Sequence, residues 1–189
     1  MRTFILFLAA TALLAACSRP PVNRAGDTPP QTEASVDLTR YEGLWYEIAR
    51  YPNSFEEGCE GVTAEYALRE DGKVSVTNTC RQGSVDGPVD IAEGVARVVD
   101  ESSNSKLKVK FAPAWVPFAS GDYWILYLDP EYETVLVGSP DGRYLWILAR
   151  SPQITPEKLE EMRNAASQRG YDTSALRMTE QPLGRRELF

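Results

Sequence analysis

The chain has no histidine among its 189 residues. That absence removes the Ser-His-Asp and Cys-His relays, every imidazole metal ligand and the one side chain that titrates near neutral pH without help from its surroundings. Cysteine is scarce, with three copies, so a thiol nucleophile or a thiolate metal site has few residues to draw on. Positive charge is also in short supply. Twenty lysines and arginines face 27 aspartates and glutamates, the formal charge is −7, and no stretch gathers the basic residues into a patch. Nucleic acid is therefore excluded as a natural partner. There is no Gly-x-Gly-x-x-Gly, no phosphate-binding loop and no internal repeat. No uncharged apolar run reaches the length of about 18 residues that a membrane-spanning helix requires.

What is present begins with a leader. The first residues, MRTFILFLAATALLAAC, carry one cation at Arg2, an apolar run from Phe4 to Ala16 and then a cysteine. The run is short and alanine-rich, as in a secretory signal. Leu14-Ala15-Ala16-Cys17 resembles the bacterial lipobox, with a plain signal peptide as the alternative. The resemblance implies that residues 1–16 are removed and that Cys17 becomes the lipid anchor, its two acyl chains holding where one would not. In such lipoproteins an aspartate after the cysteine implies retention in the inner membrane. Ser18 stands there instead and points to the cell outer membrane, at its periplasmic face. Residues 17–37 contain four prolines and few apolar side chains, so they read as a lipidated N-terminus followed by a disordered tether. One domain is expected over 38–183, with a short tail at 184–189.

Cys59 and Cys80 remain once Cys17 is lipidated. In an oxidising compartment a disulfide between them is the expected state, two free structural thiols being the alternative. They flank a hairpin that turns at Asp71-Gly72.

From residue 41 to 150 the chain is a series of short β-type segments. Strands are expected at about 44–51, 61–69, 73–81, 91–99, 105–111, 121–129, 133–138 and 143–150, separated by turn sequences such as Asp86-Gly87-Pro88, Asp129-Pro130 and Asp141-Gly142. Short sequential connections favour an up-and-down meander over a Greek key. Beyond Arg150 the period changes. Thr155 is placed as an N-cap, Pro156 at the first helical position and Gly170 just past the end, which predicts a helix over about 156–169 with Leu159, Met162 and Ala166 on its apolar face. A ninth short strand is expected near 175–180. The fold class is thus all-β: an eight-stranded up-and-down antiparallel β-barrel with a C-terminal α-helix packed outside.

Alternation along each strand assigns the faces. The inward set reads Val62, Ala64 and Tyr66 in the second strand, Val74, Val76 and Asn78 in the third, Ala96 in the fourth, and Leu107, Val109 and Phe111 in the fifth. The sixth strand is assigned Tyr123, Ile125 and Tyr127, and the eighth Tyr144, Trp146 and Leu148. An eight-stranded barrel either fills its interior with such side chains or holds one small ligand, and the pattern alone leaves both open.

Gly43-x-Trp45-Tyr46, Gly121-Asp122-Tyr123 opening a late strand, and Arg150 ending the eighth strand before a helix together resemble a lipocalin. The stretches GLWYEIARYPNSFE, VTAEYALREDGKVSVTN and YLWILARSP, with the helix start ITPE and the lipobox, are similar to the bacterial outer-membrane lipoprotein lipocalins in particular. Gly121 stands where threonine is common in the second motif, which is therefore incomplete. The resemblance implies a barrel closed at one end, where Gly43, Trp45 and Arg150 are structural and the arginine lies over the indole ring. It implies an apolar ligand in the cavity, a fatty acid or lysophospholipid, lined by Phe55, Val62, Ala64, Tyr66, Val76, Asn78, Ala96, Val109, Phe111, Tyr123, Tyr127 and Trp146. Phe55 and the aromatic loop Trp115–Phe118 are expected at the open end. No cofactor and no metal is implied, and a homodimer is left open. The reading is of a storage or transport protein rather than an enzyme. The alternatives are a lipocalin-type enzyme acting on a bound lipid or isoprenoid, and a filled barrel serving as a structural module of the envelope.

Overall fold

The computed structural model describes residues 22–111 and 120–182. A single turn of helix, α1 (Leu38–Tyr41), is started by the Asp37 carboxylate, which accepts from the amides of Thr39 and Arg40. Eight antiparallel strands follow: β1 (Gly43–Arg50), β2 (Cys59–Leu68), β3 (Val74–Gln82), β4 (Val89–Val98), β5 (Lys106–Lys110), β6 (Ser120–Leu128), β7 (Thr134–Gly138) and β8 (Leu145–Ala149). Each pairs with the next in sequence, and β1 pairs with both β8 and β2, so the sheet closes on itself as a barrel.

The closure is not uniform. The first half of β1 pairs with β2, Gly43 to Tyr46 against Tyr66 to Thr63. The second half pairs instead with a two-residue strand, β9 (Arg177–Met178), at Ala49 and Arg50. Both β1 and β2 carry irregularities there, between Glu47 and Ala49 and between Glu60 and Thr63. These bulges bend the two strands apart, and the C-terminal segment fills the gap: Thr179 N–H donates to the Ile48 carbonyl, Gly61 N–H to the Glu180 carbonyl, and the Gln181 amide to the carbonyls of Glu47 and Val62.

Two apolar cores result. The first lies inside the barrel and includes Trp45, Val76, Ala96, Leu107, Ile125, Val135, Val137 and Leu148. The second lies outside β6–β8, beneath α2 (Pro156–Gln168), and includes Ile48, Leu126, Leu136, Leu145, Ile147, Met162 and Ala166. Strands covered on both faces are apolar on both faces, which is why all five residues of β7 are buried. The helix begins where Thr155 Oγ1 accepts from Lys158 N–H with Pro156 in the first turn, and the chain reverses at Gly170, whose φ is +85°.

The segment before α1 departs from the expected free tether. From residue 22 it lies along the outside of the barrel as a strap. Val36, 1% exposed, joins the inner core, and its amide donates to the Ser103 carbonyl. Glu33 N–H donates to the Ile125 carbonyl and its carboxylate accepts from Leu128 N–H. Further back, Ala25 N–H donates to the Gly170 carbonyl, Asn23 N–H to the Gly142 carbonyl, and Tyr51 Oη to the Asn23 carbonyl. Gly142 (φ +73°) and Gly170 both accommodate this contact: a Cβ at the first would meet Arg24 Cβ at 2.3 Å, and at the second the Ala25 carbonyl oxygen at 2.5 Å. Composition misled because the strap uses backbone hydrogen bonds, which prolines and polar side chains do not prevent.

Candidate functional site

In an up-and-down barrel successive connections alternate between the two ends. Residues 36–42, the turns 69–73, 99–105 and 129–133, and Arg150 lie at one end; the connections 51–58, 83–88 and 139–144 lie at the other. The two ends are built differently.

At the first end Trp45 is fully buried, and its Nε1 donates to the Tyr41 carbonyl at 2.9 Å. The Arg150 guanidinium lies 3.9 Å from the centre of the Trp45 ring. Its Nη1 and Nη2 donate to the carbonyls of Leu44 and Arg40, each at 2.9 Å, and its Nε to that of Tyr132 at 3.3 Å. One planar cation therefore ties α1, β1 and the 129–133 turn together over an aromatic face, an attraction worth about 0.5–2 kcal/mol before the hydrogen bonds are counted. Gly43 sits beneath with φ +92°, a conformation that disfavours any side chain. This end is sealed.

Directly above the seal stand three tyrosines. Tyr41, Tyr66 and Tyr123 join through their hydroxyls, Tyr41 to Tyr123 at 2.7 Å and Tyr66 to Tyr123 at 2.9 Å. Burial raises the pKa of all three phenols above the ordinary value, so they are neutral. With Val74, Ala96, Leu107, Val109 and Ile125 they enclose only about 10 Å³ of free space, about enough for one water. The lower half of the barrel is packed.

The upper half is not. Facing residues of neighbouring strands share a face, so Ala92 and Gly94, opposite Asn78 and Val76, line the interior with Ala96. Ala96 is buried, Gly94 half-buried and Ala92 exposed. Exposure on an inward position means that solvent reaches the inner wall there, at the stretch of β4 that runs beyond its pairing with β5. Asn78 and Trp146 are likewise half-buried, and Asn78 Oδ1 is covered yet has no hydrogen-bond partner among the described residues. Phe111, just past the end of β5, is 45% exposed with its ring against Gly94, where a Cβ would meet Phe111 Cδ1 at 2.7 Å.

The rim combines aromatics with a buried ionic group. Phe55 lies 5.5 Å from Tyr144 and 6.4 Å from Trp146, and those two stack at 5.6 Å. Trp146 Nε1 donates to Glu56 Oε2 at 3.1 Å. Arg50, 2% exposed, donates to Glu47 Oε1 at 2.5 Å, to Thr179 Oγ1 at 2.9 Å and to the carbonyls of Glu56 and Cys59 at 2.8 and 3.0 Å. Its Nε lies 3.8 Å from the Glu56 carboxylate. One guanidinium thus serves two carboxylates. Burial, reinforced by Glu56 and opposed by Arg50, raises the Glu47 pKa well above the usual carboxylate range. Beside this group Cys59 and Cys80 form a disulfide across the open end of the β2–β3 hairpin.

The sequence-predicted residues therefore divide. Ala64, Tyr66, Val76, Ala96, Val109 and Tyr123 face inward and lie in or around the packed floor, while Asn78, Phe111, Trp146 and Phe55 stand at the accessible wall and rim. Val62 is buried in the bulge of β2. Tyr127 is a correction. A register shift between Ile125 and Tyr127 turns it outward, onto the second core, where its hydroxyl donates to Glu161 of α2 at 2.7 Å. Strict alternation cannot count through a bulge. Cys17, the 112–119 loop with its aromatics and the 184–189 tail lie outside the described residues. Missed entirely were Ala92 and Gly94, which parity with Ala96 could have found, and the Glu47–Arg50–Glu56 group, whose charges argued against burial.

Residues 36–181 match the family model of a lipocalin-like domain. The chain is 41% identical over 187 residues to the outer membrane lipoprotein Blc of Escherichia coli (strain K12), covering 96% of this chain and 99% of that protein. It is 39% identical over 151 residues to temperature-induced lipocalin-1 of Arabidopsis thaliana, covering 77% and 80%. It is 32% identical to apolipoprotein D of Mus musculus, covering 96% of each. Among solved structures, insecticyanin from the tobacco hornworm Manduca sexta superposes with a TM-score of 0.64 over 85% of this chain and 87% of its own, at 21% identity. The family match spans the whole barrel and agrees with this chain's eight-stranded closed sheet, sealed base and outer helix, so the chain belongs to the lipocalin family.

Proposed function

We propose that the protein is a lipid-anchored lipocalin that takes a fatty acid or a lysophospholipid into the upper half of the barrel, for storage or transport at the outer membrane. The observation that carries this reading is the graded inner wall: positions that face inward pass from fully buried at Ala96 to exposed at Ala92. An acyl chain entering there leaves water at roughly 0.8 kcal/mol per methylene, so a long chain reaches micromolar affinity with few polar contacts. The tyrosine floor supports a ligand that carries an acceptor. Its two mutual contacts use two of three hydroxyl protons, leaving one for the ligand or a water. The anchor reading draws on Cys17 after Leu14-Ala15-Ala16 and on relatives named outer membrane lipoproteins.

Titration of the purified protein with fatty acids of increasing length and with lysophosphatidylethanolamine tests the ligand reading, with Trp146 fluorescence and native mass spectrometry as readouts. Saturable quenching that strengthens with chain length is expected, together with a 1:1 mass shift. An indifferent signal, with no acyl species bound in either assay, overturns it. Tyr123→Phe is expected to weaken a carboxylate ligand several-fold more than its methyl ester. Mass analysis of the mature N-terminal peptide, expected to start at a diacylated Cys17, tests the anchor.

A further inference from the structure

The strap has a direction. Val36 is held beside Ser103 at the sealed end, and Asn23 is held by Gly142 and Tyr51 at the open end. The described chain therefore begins beside the mouth of the barrel. Cys17 is six residues ahead of Asn23, so the leash between anchor and barrel spans at most about 20 Å when fully extended. The barrel is longer than that. β2 has ten residues, about 33 Å of strand, which at a tilt near 40° is about 25 Å along the axis. A lipid on Cys17 cannot reach past the sealed end while the strap stays docked.

A second observation points the same way. Val22, Phe55, Val89 and Ile91, all at the open end, are 56%, 62%, 47% and 63% exposed, against 41%, 37% and 42% for Leu44, Leu68 and Val99 at the sealed end. Carboxylates share that end at Glu57, Asp86, Asp90 and Asp141, beside cations at Arg24, Arg81 and Arg143, the last paired with Asp141. The rim is thus apolar and of mixed charge, suited to the interfacial zone of a bilayer and without the basic excess that electrostatic attraction to anionic lipid needs.

We infer that the docked strap delivers the anchor to the mouth, so that the open end of the barrel faces the lipid surface and exchanges ligand with it directly. The inference rests on the lipid-anchor reading of Cys17. It is tested with the full chain in phosphatidylethanolamine/phosphatidylglycerol vesicles that carry a headgroup quencher, with a fluorophore attached through Ile91→Cys at the mouth or Asp71→Cys at the sealed end. Mouth labels are expected to be quenched several-fold more than sealed-end labels, with little dependence on salt. Equal quenching, or the reverse order, overturns the orientation. Partition is measured first: a wild-type chain that stays in solution, or a Cys17→Ser chain that stays bound, refutes the anchor instead. A second variant inserts about twenty Gly/Ser residues between Pro21 and Val22 to lengthen the leash. It is expected to lose the contrast between labels and to take fatty acid from vesicles several-fold more slowly, while affinity for free fatty acid is unchanged. Contrast and transfer rate that both survive the insertion overturn the strap's role.

Discussion

The two ends of this barrel solve opposite problems with different chemistry. The sealed end can be filled, and it is: Trp45, Tyr41 and the residues around them exclude water, and a single arginine hydrogen-bonds to three carbonyls across the seam. At the open end apolar burial lies on the outside of the wall, where Tyr51 and Leu145 join the second core, and the inner rim is not closed by it. That rim is held by a disulfide, by the C-terminal segment wedged between β1 and β2, and by an arginine shared between two carboxylates. Apolar packing makes the floor; covalent and polar links make the rim.

The comparison can be broken most sharply at the base. Trp45→Ala should cost about 3–5 kcal/mol in urea denaturation, the usual range for emptying a buried aromatic site. Replacing Cys59 and Cys80 together with serine releases a loop of 21 residues and should cost about 3 kcal/mol. Its effect should also reach ligand affinity, because the link lies at the mouth. Arg150→Ala should lose about 2–3 kcal/mol through the cation–π contact and its carbonyl partners. Fatty-acid affinity of the folded protein should be nearly unchanged, and a loss of binding at full stability would show that the base extends into the site.

Smaller effects sharpen the rim. Glu47 holds its proton to higher pH in the folded chain than in the unfolded one. The folded state therefore binds more protons as pH rises above the ordinary carboxylate range, and stability falls with pH until Glu47 itself ionises. Glu47→Gln should flatten that slope in thermal melts taken between pH 5 and 8. Phe55→Ala removes a side chain that is 62% exposed and should change stability by less than about 0.5 kcal/mol, while weakening ligand retention a few-fold.

Much of the fold could be read directly from residue order. Period-two alternation in β2, β3 and β5 marks one face for the interior, and the doubly apolar β6–β8 announce a helix over them. Thr155, Pro156 and Gly170 delimit that helix by local stereochemistry alone. Of the site, the inward strand positions were legible wherever alternation ran unbroken. Tyr127 was not, because one extra residue in β6 reverses every face beyond it. Nor was the strap: its hold on the barrel is carried by main-chain amides, which every sequence possesses.

By itself, then, the sequence determined the strand count and the absence of histidine chemistry, because these depend on residue type and on periods of two and 3.6; the sealed base with its Gly43, Trp45 and Arg150 was legible only through the resemblance to lipocalins. Only the tertiary structure decided how deep the cavity runs, where Glu47, Arg50 and Glu56 meet, and at which end the N-terminal strap emerges. Those depend on bulges, on hydrogen bonds between segments far apart in the chain, and on which side chains share one small volume. Local pattern carries no information about any of them.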